Sequence, residues 1–596
     1  MNLLNRLRST GWKTRLFLSF VLLSAVGVAV FDWNWLRPTL ERHLTERSGR
    51  SVVIGDLHLS IGPSLEPTVR LRGVRIANTA WADTQKPFAV AGEAAFTFSL
   101  SSLTERRPIV SRLLLIDADI DLERLADGTR NWRLRNPDDR GPGRFKFITL
   151  EAHRSKVRFL HRGVDLDLHT AASPLDKPAT IEASPEPLVS RIDFSGTWRG
   201  AAFKGQADTP LVLSLMESGH AFPMKGHAST AGNRLEVEGL VTDIFKLYAV
   251  DAKLHLKGPS LASLHPFVPA DLPATLAYSA AAHLKKEDQD YRFTDLRTRL
   301  GRSDLSGEFT YEGQRERPFL QATLKSESID LAELLKGAGQ GGAARQSELS
   351  LEALREADAQ ISLQVSSVAV PALPPLKALR FTARLENGEL KVKPMQFNLA
   401  SGQASGTLTL DARPAQPAAR LEASARHWRV EHLLPEQADS ARVTGPVNVQ
   451  LELSAHGRSV AALLHSLSGN ASARMTDGSI SDVLDAKLAL NGGKLLRASL
   501  GEPRQIAIEC GAIDLSFDKG RGTSTRLVLH TANTEVIGTA EVNLHDDVFI
   551  VALDPRPKKT AVLALGQSIR VEGWFNGVKT RLADPLERPE TAACPR

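Results

Sequence analysis

Hydrophobic and polar positions along the chain follow two periods, and the change from one to the other comes early. Leu16 to Phe31, LFLSFVLLSAVGVAVF, carries no charge over sixteen residues. From Trp35 to Arg47, WLRPTLERHLTER, Leu36, Leu40 and Leu44 recur every four residues, which predicts a helix with one apolar face that stops at Gly49. Beyond it the period falls to two. Val69 and Leu71 alternate with arginines, and Val74 and Ile76 follow Gly73. Ile116, Ala118, Ile120 and Leu122 alternate with Asp117, Asp119 and Asp121, the pattern of a half-buried strand with one charged, solvated face. Asp127-Gly128 predicts a turn, with Asn131 to Leu134 beginning a return strand. Val447, Val449, Leu451 and Leu453 alternate with Asn448, Gln450 and Glu452; Leu527 and Leu529, then Val542 and Leu544, close the series. Short strands with regular turn signals, including Gly232-Asn233 and Asn387-Gly388, predict antiparallel β structure rather than βαβ units.

A weak internal repeat supports this. Arg302 to Leu335 and Ser401 to Leu434 both run through a glycine, an alternating strand, a polar turn with proline, a second alternating strand and a short apolar stretch ending in two leucines, with Gly307 and Gly406 in matching places. A β unit that buries its apolar face only against copies of itself predicts a solenoid-like sheet. Helices are few: Ser459 to Leu467 and Ser481 to Leu490 have helical patterning. Gly337 to Ala344, GAGQGGAA, reads as a flexible linker, since no Lys-Ser/Thr follows to make a phosphate loop.

The apolar run then decides where the body goes. A spanning helix takes about 20 residues, and Trp12, Trp33 and Trp35 with Arg6, Arg8, Lys13 and Arg15 supply interfacial flanks. The expected anchor residues are Leu16, Phe17, Leu18, Phe20, Val21, Leu22, Leu23, Val26, Val28, Val30, Phe31, Trp33 and Trp35. The basic flank keeps the N-terminus in the cytoplasm and exports the body. A cleaved signal ending near Ala25 to Ala29 is the rival reading; it too exports the body.

Composition narrows the function. At 596 residues the chain exceeds one hydrophobic core. Its 74 basic and 68 acidic residues are interleaved, with no basic–aromatic cluster, so nucleic acid is not an expected partner. Two cysteines, Cys510 and Cys594, are too few for a disulfide scaffold or a metal site, though they can pair with each other. No His-Glu-x-x-His, Gly-x-Ser-x-Gly, Cys-x-x-Cys or Walker pattern is present. No catalytic, cofactor or metal residue is expected, and the chain does not read as an enzyme. Long alternating strands with few helices leave an apolar face without a cover, and a curled sheet keeps that face as an open groove. Candidate lining residues are Ile116, Ile120, Leu122, Val447, Val449, Leu451, Leu453, Leu527, Leu529, Val542 and Leu544.

Two stretches resemble the AsmA family of Gram-negative envelope proteins. Toward the N-terminus these are Gly49 to Asn78, Trp81, Ser99 to Leu103 and Ile116 to Leu134; toward the C-terminus, Leu467 to Ile480, Ile508 to Gly522, Val551 to Lys559 and Ile569 to Pro585. The resemblance implies a single-pass inner-membrane protein with a periplasmic body, related to bridge-like lipid transfer proteins whose repeating β-groove shields acyl chains. Phospholipid chains are the implied ligand, and outer-membrane or periplasmic assembly proteins are possible partners. The expected fold is mainly β: an N-terminal transmembrane helix, then an elongated, curled antiparallel β-sheet groove with a few short helices. The expected divisions are a basic cytoplasmic segment (1–15), the anchor (16–31), an amphipathic linking helix (32–48), an N-terminal β module (49–170), a repeating middle (171–336), a Gly/Ala-rich insert (337–360), a second repeat (361–442), a C-terminal module (443–585) and a tail (586–596). The expected function is to carry or bridge phospholipids between the two membranes. The alternative is a scaffold for outer-membrane protein assembly without lipid transport.

Overall fold

Period-two patterning becomes strand almost throughout. The computed structural model describes residues 31–61, 66–82, 86–99, 109–133, 146–210, 212–214, 221–242, 248–264, 276–336, 351–371, 373–433, 443–488, 504–558, 567–574 and 577–583. The chain is mainly β with a few short helices. The expected anchor lies outside the described residues except for Phe31, Trp33 and Trp35. Among the described residues no helix is long and apolar enough to cross a membrane. Two compact units divide the chain: residues 1–259, 263–272 and 281–288, and residues 260–262, 273–280 and 289–596.

In the first unit a 3-10 turn, Trp33–Leu36, leads into the helix Arg37–Ser48, which Gly49 ends in the left-handed conformation (φ 67°). One side of this helix completes the edge of the sheet begun by Val52–Val53 and Asp56–Ile61. Thr45 Oγ1 accepts the Val52 N–H (3.2 Å), the Glu41 carboxylate accepts that of Ile54 (2.6 Å), Asn34 Oδ1 accepts that of Leu57 (2.9 Å), and Arg37 donates to the Gly55 carbonyl (2.7 Å). Backbone groups that a neighbouring strand would otherwise satisfy are thus paired with side chains. Leu40 and Leu44, with Trp33, pack on the cluster Val52, Ile54, Leu57, Leu71 and Val74. Leu36, expected in that stripe, stays exposed, because it ends the four-residue 3-10 turn, whose tighter winding rotates it off the buried face.

The buried parity switches partway across this unit. Leu71 and Val74 both join the cluster although they are three positions apart; Gly73 between them sits at φ 58°, and Asp117 and Arg154 at φ 50° and 44°. Strands that take this extra step bend. Ile116 therefore falls in the cross-strand row of Arg72, Glu93 and His153, while Ala118 and Ile120 join the core.

Three expectations need correcting here. Asp121, read as solvated, is buried, within reach of Asn78 (3.4 Å) and Arg158 (3.7 Å). Asn131 does not begin a return strand. Its side chain is fully buried, accepts the Glu123 N–H (2.7 Å) and donates to the Asp121 carbonyl (2.7 Å), so residues 131–133 plug the strand end. And Ile109–Arg124 pairs in parallel with Lys146–His153 and Lys156–His161, as Phe319–Asp330 does with Asp358–Ala369 in the second unit. In both places the connecting chain exceeds the dozen residues a parallel crossover needs. The other strand pairings named in the two units are antiparallel.

In the second unit the repeat is structural. Ser303–Glu312, Phe319–Asp330 and the helix Leu331–Lys336 match Gly402–Asp411, Ala418–Arg429 and the helix Val430–Leu433. Opposite Gly307 the preceding strand bulges between Phe293 and Leu296; opposite Gly406 it bulges between Val392 and Met395. A Cβ on Gly307 would lie 2.1 Å from the Thr323 carbonyl oxygen, and one on Gly406 2.8 Å from that of Glu422. The strand series continues past Leu544 through Val548–Pro557, Ser568–Trp574 and Gly577–Ala583; Leu544 itself lies in the turn after Thr534–Asn543.

Candidate functional site

Strand pairing sorts side chains into rows that run across the sheet. In the second unit one row passes through Phe293, Phe309, Ala322, Ile361, Ala383, Val392, Leu408, Leu421, Leu453, Gly469, Phe517, Gly522, Val542 and Phe549. Every member is apolar or glycine. The next row, Tyr291, Tyr311, Leu320, Ala359, Leu385, Leu390, Leu410, Ala419 and Ala455, has the same character. The row between them, facing the other way, reads Arg292, Thr310, Gln321, Gln360, Arg384, Lys391, Thr409, Arg420, Ser454 and Ser468, all polar. At about 4.8 Å per strand the first row extends for about 60 Å.

Most side chains in these apolar rows are half-buried: neighbours in the row shelter them, and among the described residues no second layer covers them. Val447, Val449, Leu451 and Leu453 stand on this face together, and Leu527, Leu529 and Val542 fall in their rows. Leu544, outside the strand, does not. Val447 and Leu529 lie at the covered margin, where Met475, Ile480 and Ile508 form a core with Val430 and Leu484. Sequence reading missed the stacked pair Phe293 and Phe309, with ring centroids 4.4 Å apart, and the neighbouring Tyr291 and Tyr311. Alternating aromatics in DYRFTDL and GEFTYE carried the signal.

The first unit has an equivalent face. Val52, Ile76, Ala89, Ile120, Val157, Thr170, Phe194, Gly205, Ala228, Leu235 and Leu256 form one row; Leu122, Phe159, Leu168, Gly196 and Phe203 are part of the next. Helix Arg37–Ser48 closes the face at its first strands; Ile120 packs on that closed core, and Leu122 stands just beyond it. The opposite, polar side holds a hollow of about 900 Å3 lined by Asp121, Arg158, His169, Lys204 and Arg234, among others. Its cationic lining is engaged by neighbouring acids: Arg158 with Asp167 (2.9 Å), His169 with Asp167 (3.2 Å), and Arg234 with Glu236 (2.8 Å). Hydrogen bonding by Arg158 holds the Asp167 carboxyl below its usual range. Charge of this density suits water or polar ligands rather than acyl chains. Among the described residues no group of three or more His, Cys, Asp or Glu side chains is placed to hold a metal. His153 bonds Glu151 (2.8 Å).

The AsmA family model matches residues 11–140 and 340–527, more than half of the chain. The chain belongs to the AsmA family. It is similar to the AsmA family protein YhjG of Escherichia coli K12, with 23% identity over 639 residues that cover 96% of this chain and 92% of YhjG. No solved structure matches. In this AsmA-family chain the matched segments include the buried Asp121, Glu123 and Asn131 at one end and the rows through Leu421, Leu453 and Phe517 at the other.

Proposed function

We propose that this protein is held in the inner membrane by Leu16 to Phe31, with its β body in the periplasm, and that it carries or bridges phospholipids between the inner and outer membranes. The fourteen-strand apolar row of the second unit, backed by a polar face and lacking a cover among the described residues, carries this reading. Acyl chains supply the missing cover. Each methylene they bury contributes about 0.8 kcal/mol, enough over one chain to offset the cost of ordering it. Trp35, 75% exposed, with the exposed Phe31 and Leu36, forms an aromatic and apolar collar suited to the bilayer interface. Movement along the rows is passive, and the role that follows is upkeep of the outer membrane.

Photo-crosslinking at successive positions of Pro446–His456 in cells tests this. Lipid adducts are expected at Val449, Leu451 and Leu453 and not at Gln450 or Glu452. Adducts to unfolded outer-membrane proteins in place of lipid would assign the scaffold function instead, and adducts at both parities would remove the apolar face from the account.

A further inference from the structure

Where the apolar face of the first unit emerges from under its helix, the row beside Leu122, Phe159 and Leu168 changes character. It runs Arg130, Arg124, His161, Leu166 and Trp198. Arg124 and Arg130 are directly opposite each other across an isolated bridge. Like charges in that relationship repel, and no carboxylate among the described residues pairs with either. Glu123, the adjacent acid, faces the other side of the strand and is taken by Arg162 (2.9 Å). Arg124 Nε and His161 Nδ1 are buried without a hydrogen-bond partner, a state that costs free energy unless a ligand relieves it. Burial and the two arginines lower the His161 pKa. Arg130 lies over the Trp132 ring (5.8 Å to its centroid), and Trp132 is 5.8 Å from Phe159, so aromatic contacts hold the cationic fork against the apolar strip.

We infer that Arg124, Arg130 and His161 form an anion site for the phosphate of an amphiphile, whose hydrocarbon lies on Leu122, Phe159 and Leu168. Guanidinium forks match phosphate oxygens in pairs, which a lysine pair would not do. One residue pair along a strand, about 7 Å, separates phosphate from apolar row, the order in which a phospholipid presents its headgroup and its chains. The placement marks the start of the open strip, since the strands before it are closed by Trp33, Leu40 and Leu44. The lipid identity of the ligand rests on the function proposed above; the anion site itself rests on the unpaired cations.

Full-length protein in detergent is titrated with glycerol phosphate and with a short-chain phosphatidylglycerol, as wild type, as Arg124→Gln with Arg130→Gln, and as the paired Lys variants. Loss of two charge-assisted contacts is expected to weaken both ligands about tenfold or more in the Gln pair, with partial retention in the Lys pair. Tighter binding of phosphatidylglycerol assigns a lipid headgroup, and equal binding a free phosphate ester. Undiminished binding in the folded Gln pair overturns the site. If that pair fails to fold, the wild type decides: a diacylglycerol of the same chains binding as tightly as the phospholipid overturns it. Crosslinking at Leu451 in the wild type reports separately on the apolar face of the second unit: its failure there removes the lipid reading and leaves the glycerol phosphate titration to judge the arginines.

Discussion

The Glu41 carboxylate accepts the backbone N–H of Ile54 at 2.6 Å, so a helical side chain completes the hydrogen bonding of a strand edge. Ile54 is nearly fully buried, so its N–H has little access to water when the bond is lost. Glu41→Ala is expected to destabilise the first unit by about 1–3 kcal/mol, and Glu41→Gln by less, because the amide oxygen still accepts. Urea unfolding of the full chain, followed by a Trp signal, measures this; equal midpoints for Glu41→Ala and wild type would show that the edge is satisfied by other means.

Asn131 ties the matched N-terminal segment together through three polar bonds, to Glu123, Asp121 and Asn78. Asn131→Ala leaves the Glu123 N–H and the Asp121 carbonyl buried and unpaired, at a cost of about 2–4 kcal/mol. Asn131→Asp keeps the acceptor but loses both donors, and beside buried Asp121 and Glu123 it adds a third acid, so it is expected to be at least as harmful. Thermal melting ranks the two; a neutral Asn131→Ala would mean that the strand end does not depend on its plug.

Much of this architecture was legible in the chain, and the misses have physical causes. Period-two patterning exposes which side chains share a face, and so it located Val447 to Leu453 and the Gly307/Gly406 repeat. It does not register an extra half-step: Gly73 and Asp117 shift the parity at positive φ, which moved Ile116 off the face that its spacing assigned. Nor does polarity separate a solvated acid from a buried, paired one, which is why Asp121 was misread. Parallel pairing at Ile109–Arg124 and Phe319–Asp330 depends on crossovers whose direction has no local signature. The anion row was hidden because His161 reaches Arg124 only through that parallel register, and Arg130 reaches it only through an isolated bridge.

The matched glycines predict unequal penalties. Gly307, at φ 139°, allows the Thr323 carbonyl to approach where a side chain would stand, whereas Gly406 is tight without a positive φ. Gly307→Ala is expected to cost well over 1 kcal/mol, from strain together with displacement of the neighbouring strand, and Gly406→Ala less. Unfolding midpoints of the two variants test this, and a smaller effect at Gly307 would refute it.

Cys510 and Cys594 are the two cysteines of the chain, and the periplasmic location proposed above predicts that they pair. Protein purified without reductant should therefore take up no alkylating reagent when unfolded, and two equivalents after reduction, as read by intact mass. Uptake before reduction would place both thiols free and argue against an oxidising compartment.

Arg413 fixes a pH dependence at the hairpin end of the second apolar row. Its hydrogen bonds hold the Asp411 carboxyl down to about 2 from an ordinary 3.8. A carboxyl whose pKa is depressed by folding stabilises the folded state while it is ionised, so its contribution is complete above pH about 4 and disappears as the pH falls through 2. Arg413→Gln should return the Asp411 titration toward 3.8 in a carboxyl-resolved NMR titration. It should also make the second unit less sensitive to acid between pH 4 and 2, with a matching loss of stability above pH 5; both effects are small, because the pair is partly exposed and screened. Glu389, 3.9 Å from Arg413, is a weaker second partner. An Asp411 titration unmoved by Arg413→Gln would assign the shift to the backbone N–H of residue 413, which also donates to this carboxylate at 3.0 Å.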